Sequence, residues 1–261
     1  MDPREPGVAE GDTILRTARR LEPVLIGRPI IGATAPNPRS PLRRGTTRLV
    51  GEEVERIETR GKHLIFHLTD GLALHSHMGM SGSWRVDSGR GFGRPERSAW
   101  LILDLGGTWV AQFGGPTLRL LRAVELGRDA RLATLGPDIL APGFDPEPVA
   151  VRFRAHGGQV GEALMDQKVL CGIGNIFKSE SCFENRIDPW RPAASLTPGE
   201  AADLLRTARR QMDVGVETGR RPSRVYRHAG RRCPRCLGSR IRSRAQGDDG
   251  RLTYWCPNCQ L

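Results

Sequence analysis

Four cysteines near the C-terminus have the spacing of a metal site. Cys233 and Cys236 form one Cys-x-x-Cys pair, Cys256 and Cys259 form a second, and nineteen residues separate the two pairs. Four thiolates at this spacing are typical of tetrahedral zinc sites, in which two tight turns of a short hairpin face each other. Because such a site leaves no coordination position open, we predict one structural Zn²⁺ and no catalytic metal.

Six cysteines also allow disulfide bonds, but nothing in the sequence indicates secretion, so metal binding is the better interpretation. Cys171 and Cys182 lie in an apolar helical stretch and are predicted to be buried packing residues.

The zinc hairpin has a second interpretation as a purely structural staple. We favour a role in contacting DNA, because Arg251 follows Gly250 at the predicted tip and would project its cation outward.

The charge balance of the chain favours a polyanionic partner. Of 261 residues, 40 are basic and 29 are acidic, which gives a net charge of +11 and an isoelectric point near 10.3. Nucleic acid fits this charge better than a membrane surface, because no stretch approaches twenty apolar residues and no signal-peptide pattern is present. We therefore expect a cytoplasmic protein. Arginine dominates the positive charge, and of the only lysines, Lys62, Lys168 and Lys178, two need no special explanation.

The first half of the chain predicts a helix followed by an antiparallel β-domain. Residues 1–8 are polar, proline-rich and aperiodic, which is typical of a disordered tail or a mis-assigned start. Apolar residues at helical spacing then follow Asp12 or Thr13, either of which suits an N-cap. The next segment alternates in polarity and contains turns at Asp70-Gly71 and Gly106-Gly107, which predicts a β-sandwich or barrel.

The second half predicts a helical domain that carries the zinc hairpin. Residues 136–148 are rich in proline and glycine, which is typical of a linker. Thr197 and Glu200 form a capping box that predicts the start of a long helix. We therefore expect an α+β multidomain protein with a β-domain at 9–135, a helical domain at 149–230 and a zinc finger at 231–261.

A Gly-x-Gly-Asn sequence interrupts two apolar helical stretches. Gly172 and Gly174 permit a tight turn, so the helix that follows can aim its N-terminal amides, with the Asn175 side chain, at a phosphate. Taken alone, such a turn is more often ordinary packing.

Four blocks of sequence, in order along the chain, resemble the formamidopyrimidine-DNA glycosylase and endonuclease VIII family. Thr59–Leu68 resembles the family's buried-lysine strand, His75–Trp84 its lesion-void loop, and Gln167–Glu180 its helix-two-turn-helix motif. Val225–Cys233 together with Gly250–Gln260 resembles its zinc finger. Any one block could arise by chance, whereas the ordered set spans almost the whole chain.

The resemblance implies a DNA glycosylase with associated abasic-site lyase activity in base-excision repair. It makes residues 9–135 the catalytic domain and residues 149–230 a DNA-binding helix-two-turn-helix domain. Such an enzyme flips a damaged nucleotide out of the duplex, attacks its C1′ with an amine and expels the base. A Schiff base then carries β or β,δ elimination of the flanking phosphates. We expect a monomer that binds damaged double-stranded DNA in the bacterial cytosol or nucleoid.

The resemblance puts the reacting amine at Ala9. Family members use an N-terminal proline followed by a glutamate, and the matching residues here are Ala9 and Glu10. An N-terminal amine has a pKa near 8, against about 10.4 for lysine, so far more of it is neutral at pH 7. The Ala9 nitrogen is an amide in the sequence as written and cannot attack. We therefore expect that Val8 is a GTG initiation codon and that removal of methionine exposes Ala9; a chain that begins at residue 1 would be a lesion binder or a weak enzyme.

Further residues take their roles from the same resemblance. Glu10 would protonate the sugar ring oxygen or relay protons, although a carboxylate before a helix also compensates the helix dipole. Lys62, on an otherwise apolar strand, would be a desolvated cation that holds a phosphate; a surface lysine is the alternative. Met80 would fill the void left by the flipped base, or else fill the core. The predicted DNA contacts also include Gln167, Asn175 and Arg251, the last two as a phosphate clamp.

The sequence at residues 111–114 bears on the choice of lesion. Purine-type enzymes have Arg-Arg-Phe-Gly where this chain has Ala-Gln-Phe-Gly, which favours oxidised pyrimidines and the endonuclease VIII branch. A non-catalytic zinc-ribbon protein that binds nucleic acid or lesions would explain the charge and the four cysteines equally well. It would not explain Lys62 or the ordered blocks.

Overall fold

The computed structural model describes residues 9–261. The predicted tail and the proposed start at Val8 lie outside the described residues. Contacts between Cα atoms divide the described chain into two compact units. Unit 1 comprises Ala9 and Thr13–Ala133, and unit 2 comprises Glu10–Asp12 and Thr134–Leu261.

Unit 1 contains most of one helix, eight strands and two short helices. The elements are α1 (Gly11–Leu25, whose first two residues belong to unit 2), β1 (Gly32–Thr34), β2 (Val54–Arg60), β3 (His63–Leu68), β4 (Leu72–His77), β5 (Ser83–Asp87), β6 (Leu101–Asp104), β7 (Trp109–Phe113), β8 (Thr117–Arg122), α2 (Ala123–Gly127) and α3 (Ala130–Ala133). The strands form two four-stranded antiparallel sheets, with the orders β2-β3-β4-β8 and β1-β6-β7-β5.

One hydrophobic cluster fills the interior of unit 1. It takes side chains from α1 and from both sheets, and Phe66 of the first sheet meets Trp84 of the second with ring centroids 4.7 Å apart. In α1 the buried residues Ile14, Ala18 and Leu21 recur at helical spacing, so one face of the helix is apolar. The predicted helix and antiparallel sandwich are confirmed.

Two hairpin turns lie where the sequence predicted them. Asp70 and Gly71, between β3 and β4, have φ values of 53° and 67°. Gly106 and Gly107, between β6 and β7, have φ values of 75° and 84°. Left-handed backbone at both positions suits glycine and aspartate, because both tolerate the conformation that a larger side chain disfavours. The N-cap prediction for α1 is wrong, since the helix begins at Gly11 and Asp12 lies inside its first turn.

Unit 2 contains four helices and a two-stranded hairpin. The elements are α4 (Pro146–Arg154), α5 (Val160–Met165), α6 (Asn175–Glu184), α7 (Pro198–Thr218), β9 (Arg242–Gln246) and β10 (Arg251–Trp255). The predicted capping box opens α7: the Thr197 hydroxyl accepts from the Glu200 amide, and the Glu200 carboxylate accepts from the Thr197 amide. Among the helices of residues 9–261, none has the length and apolar character needed to cross a membrane.

Candidate nucleic-acid interface and catalytic residues

The four cysteines of the C-terminal hairpin come together at one point. All four Sγ atoms lie within 4.8 Å of one another. Cys233 and Cys259 are 3.7 Å apart at sulfur, and Cys236 and Cys256 are 3.8 Å apart. Phe183 of α6 packs against this cluster, so the cysteines also anchor the hairpin to α6. The predicted arrangement of a metal-binding group is confirmed.

The hairpin presents Arg251 next to α6. Arg251 begins β10, its side chain is 43% exposed, and its Nε lies 3.5 Å from a carboxylate oxygen of the still more exposed Asp249. Asn175, the first residue of α6, donates from Nδ2 to the carbonyl of Leu252 at 2.9 Å. The Asn175 Oδ1 atom is buried and has no hydrogen-bond partner among the described residues. The two predicted phosphate contacts therefore lie on directly bonded neighbouring segments.

The turn before α6 depends on its glycines. Gly172 has φ of +109°, and a Cβ on Gly174 would lie 2.3 Å from the Glu10 side chain. Gln167 closes this turn, because its Nε2 donates to the carbonyls of Met165 and Ile173 and its Oε1 accepts from the Gly172 amide. Both polar atoms of the predicted DNA contact Gln167 are thus used inside the protein, which makes it a support for the turn.

Glu10 occupies the N-terminus of α6. Its side chain is fully buried, and its carboxylate accepts from the amides of Gly174 at 3.1 Å and Ile176 at 2.9 Å, and more weakly from that of Phe177 at 3.5 Å. The expectation that these amides face a phosphate is therefore wrong, since a carboxylate of the protein already satisfies them. The helix dipole that Glu10 compensates is that of α6. It is not the dipole of α1, the helix that begins at the next residue.

Two further buried carboxylates have partners that the sequence does not predict. Asp12, 2% exposed, is paired with Arg221 through both carboxylate oxygens, and the Arg221 Nε to Asp12 Oδ2 distance is 2.6 Å. Glu180, 1% exposed, accepts from the backbone amides of Arg224, Val225 and Tyr226 at 2.8–2.9 Å. Both hold distant segments in place, and sequence spacing carries no signal for such contacts.

Lys62 lies in the turn of the β2–β3 hairpin. Gly61 and Lys62 link Arg60 to its partner His63, and the Lys62 side chain is half-buried. Lys62 therefore lies one position before β3, and the expectation of a partly desolvated lysine at this strand stays a prediction. Lys62 depresses the pKa of the neighbouring His77, although burial is the larger cause.

Three histidines cluster on the β3–β4 face beside Lys62. His63 Nδ1 lies 2.9 Å from His75 Nε2, and the ring centroids of His63 and His77 are 4.7 Å apart. Burial lowers the pKa of His63 to about 3 and that of His75 to about 4. These rings are therefore neutral at physiological pH, and the charge of Lys62 acts on His63 and His77.

Met80 stands out from the loop between β4 and β5. Its side chain is 66% exposed, so it is not a core filler. The loop is tight: Gly79 has φ of +58°, and a Cβ on Gly82 would lie 2.4 Å from the Met78 carbonyl. The backbone nitrogen of Ala9 donates to the Gly79 carbonyl at 3.4 Å, so Ala9 lies against the same loop.

Residues 111–114 offer no side chain to a base. Gln112 is fully buried, and Phe113 is 1% exposed. Phe113 belongs to a second hydrophobic cluster, in which its ring packs edge-on against Phe92 with the ring centroids 5.8 Å apart. The exposed Met80 of the β4–β5 loop is therefore a better candidate than residues 111–114 to enter a base stack.

Comparison with known proteins identifies the family to which the chain belongs. The N-terminal domain model of formamidopyrimidine-DNA glycosylase matches residues 8–114, and its H2TH domain model matches residues 135–227. "Probable endonuclease 8 2" of Streptomyces coelicolor is 40% identical over 96% of this chain and 93% of its own length. "DNA-(apurinic or apyrimidinic site) lyase Nei2" of Mycolicibacterium smegmatis is 34% identical over 96% and 98%. A crystal structure of MutM (Fpg) from Thermus thermophilus superposes with a TM-score of 0.81 at 29% identity, covering 96% of this chain and 98% of that one.

The antiparallel sheets, the H2TH helices and the four-cysteine hairpin define a DNA-repair glycosylase with associated abasic-site lyase activity. The chain belongs to the formamidopyrimidine-DNA glycosylase and endonuclease 8 family.

Proposed function

We propose that this enzyme removes oxidised pyrimidines from double-stranded DNA through a Schiff base on the amine of Ala9, and that it then cleaves the strand by β or β,δ elimination. The observation that carries the proposal is the contact of the Ala9 nitrogen with the loop of the exposed Met80. A nucleophile that lies against the loop of an apolar wedge suits the attack on C1′ of a nucleotide whose base has left the stack.

The reaction needs Ala9 as a free amine. A primary amine displaces the base at C1′ and loses a proton. The C1′–O4′ bond then opens as O4′ takes up a proton, and the resulting iminium is the electron sink for elimination. An α-amine suits this role because much of it is neutral at pH 7, unlike a lysine. A protein that begins at Ala9 supplies this amine, whereas a protein in which residue 8 precedes Ala9 has an amide there.

Glu10 and Lys62 assist this chemistry in different ways. Glu10 follows the nucleophile directly, and the amides at the start of α6 hold its carboxylate in one orientation. A fixed carboxylate at this place relays protons to the ring oxygen of the sugar. Lys62, a cation beside three neutral histidines, holds a phosphate of the damaged strand.

Asn175 and Arg251 bind the backbone around the flipped nucleotide, and Zn²⁺ holds the hairpin that carries Arg251. Zinc–sulfur bonds of about 2.3 Å in a tetrahedron separate neighbouring sulfurs by about 3.8 Å. The observed separations of 3.7 Å and 3.8 Å for two of the sulfur pairs agree with such a tetrahedron. A bound ion stabilises the folded hairpin, which is too small to hold itself.

Two observations favour oxidised pyrimidines. The buried Gln112 and Phe113 leave the enzyme without the arginine-bearing loop of the purine-type branch. Two relatives at 34% and 40% identity carry the names Nei2 and endonuclease 8. Duplexes with single lesions test this choice: excision of thymine glycol should exceed excision of 8-oxoguanine, and the reverse order would contradict it.

Borohydride trapping on a duplex with one abasic site tests the reaction. A protein that begins at Ala9 should form a covalent adduct with DNA, because reduction fixes the Schiff base. The same protein with residues 1–8 attached should form none, since its Ala9 nitrogen is an amide. If neither protein is trapped although both bind the duplex, the chain is a non-catalytic lesion-binding protein and the proposal fails.

Arg251→Ala tests the role of the hairpin. The variant should keep one zinc per chain, measured by atomic emission, and should lose strand cleavage because a phosphate contact is gone. Cys259→Ser, which removes a zinc ligand, is the comparison variant and should lose both zinc and DNA binding. Loss of zinc from Arg251→Ala would leave the hairpin with a purely structural role.

A further inference from the structure

Lys178 is a buried cation that the chemistry above does not use. It lies on α6 with 1% of its surface exposed, in a run of residues that are all buried. Within the described residues its Nζ donates to a hydroxyl, that of Thr253, and forms no salt bridge. An ammonium without an ion pair is costly in a protein interior, because burial disfavours the charged form. The sequence alone does not indicate this burial.

A directed chain of hydrogen bonds begins at this ammonium. Lys178 Nζ donates to Thr253 Oγ1 at 2.6 Å, and Thr253 donates to Gln246 Oε1 at 2.7 Å. Gln246 Nε2 then donates to Gln159 Oε1 and to the Pro189 carbonyl, both at 2.8 Å. The chain joins α6 to both strands of the zinc hairpin, and each of its first three side chains is at least nine-tenths buried.

The same face of α6 makes a second contact with the hairpin one turn earlier. Asn175 donates to the Leu252 carbonyl, and Lys178 holds the next residue, Thr253. Arg251 is the residue before Leu252. Two consecutive attachments on β10 therefore fix the backbone from which the Arg251 side chain extends.

We propose that Lys178 is a positioning residue for DNA binding: its ammonium holds β10 against α6, which fixes Arg251 beside Asn175, and its charge lies beneath the phosphate that this pair binds. This inference rests on the proposed role of the pair as a phosphate clamp. The bound phosphate adds to the negative charge of Glu10 and Glu162, which act on Lys178 without forming a salt bridge with it in the described part of the chain.

The charges around Lys178 make this role measurable. Burial lowers its pKa to about 8; Glu10 and Glu162 of α5 oppose the shift, and Arg251 of β10 adds to it. Cys182 on the same helix is a neutral thiol at these pH values, because burial raises its own pKa to about 12. A phosphate bound by Arg251 favours the ammonium, so DNA binding raises the pKa of Lys178. Below pH 8 Lys178 is charged with or without DNA, whereas above pH 8 the free protein must take up a proton to bind.

Lys178→Gln separates the charge from the hydrogen bond, since glutamine is neutral and keeps a donor toward Thr253. The probe is a duplex with one tetrahydrofuran site, which cannot form a Schiff base, so binding is measured without reaction. The zinc-loaded protein is compared at pH 7 and pH 9 at fixed salt. We expect the variant to bind about tenfold more weakly at pH 7, which is about 1.4 kcal/mol, and less than about threefold more weakly at pH 9.

Two further variants complete the test. Thr253→Val keeps the ammonium but removes its acceptor, so it should weaken binding at both pH values because β10 is no longer held. Lys168→Gln removes an equal charge from an exposed position, and its dependence on pH should match that of the unaltered protein. Calorimetry in two buffers at pH 8 should show proton uptake with the unaltered protein and less uptake with Lys178→Gln.

The outcomes distinguish this inference from the proposed function. If Lys178→Gln binds as tightly as the unaltered protein, or weakens equally at pH 7 and pH 9 with unchanged proton uptake, the inference is wrong. If Lys178→Gln loses zinc, Lys178 is structural and the inference also fails. If the unaltered protein does not bind the duplex, or if Arg251→Ala does not weaken binding, the clamp itself is wrong.

Discussion

Replacing Glu10 by glutamine should release the start of α6. The carboxylate accepts from the Gly174, Ile176 and Phe177 amides in a fully buried position. Glutamine has almost the same shape, but its NH₂ group cannot accept a hydrogen bond. At least one buried amide of α6 therefore loses its partner, and the helix N-terminus loses its negative charge.

The magnitude follows from these two losses. A buried donor without an acceptor costs about 1–3 kcal/mol. Loss of a partly or fully buried charge at a helix terminus adds about 1 kcal/mol, with an upper value near 2 kcal/mol. We expect Glu10→Gln to destabilise α6 by about 2–4 kcal/mol, which corresponds to an increase of at least about 30-fold in the local opening equilibrium.

Hydrogen exchange of the peptide that contains α6 measures this opening directly, because the Ile176 and Phe177 amides are the reporters. The control is Glu217→Gln, an exposed glutamate of α7 in the same unit, which should change exchange by less than about 0.5 kcal/mol. Equal exchange of α6 in both variants would refute the assignment of Glu10 as the cap of this helix.

Three other predictions concern stability and binding. Burial lowers the pKa of His75 to about 4 in the folded protein, against about 6.5 in the unfolded chain. The neutral ring therefore contributes stability that is complete above pH 6.5 and is lost as the pH falls, by about 2 kcal/mol at pH 5. Urea unfolding of His75→Gln should depend less on pH than that of the unaltered protein. Asp12→Asn should lower the unfolding free energy by about 3 kcal/mol because it removes the buried carboxylate that pairs with the largely buried Arg221, and Asp12→Asn with Arg221→Met should recover part of that loss. Met80→Ala should leave thermal unfolding unchanged, since Met80 is exposed, but should weaken binding to the tetrahydrofuran duplex; a lowered melting temperature would instead place Met80 in the core.

The sequence predicted those features that short spacings specify. Two Cys-x-x-Cys pairs predicted the cysteine cluster, and the Thr197–Glu200 capping box predicted the start of α7. Turn residues located two hairpins of unit 1. In each case the interacting groups lie close in the chain or belong to a spacing that recurs in zinc hairpins, so local chemistry is sufficient.

Tertiary structure decided which groups meet over long separations. The sequence marked Glu10 as a catalytic carboxylate and the start of α6 as an anion site, yet the two belong together across 164 residues. Lys62 was expected within a strand and lies in the preceding turn, because the hairpin closes at Arg60 and His63. The buried state of Lys178 likewise depends on β10, 75 residues further along the chain.

The sequence by itself therefore determined the family, the four-cysteine hairpin and the identities of the reacting groups. Only the tertiary structure decided that Glu10 satisfies the amides of α6 and that Lys178, within the described part of the chain, lies buried without a salt bridge. The physical reason is that a buried charge is defined by what excludes water from it and by what pairs with it. Both are set by segments that are distant in the chain, and no spacing in the sequence records them.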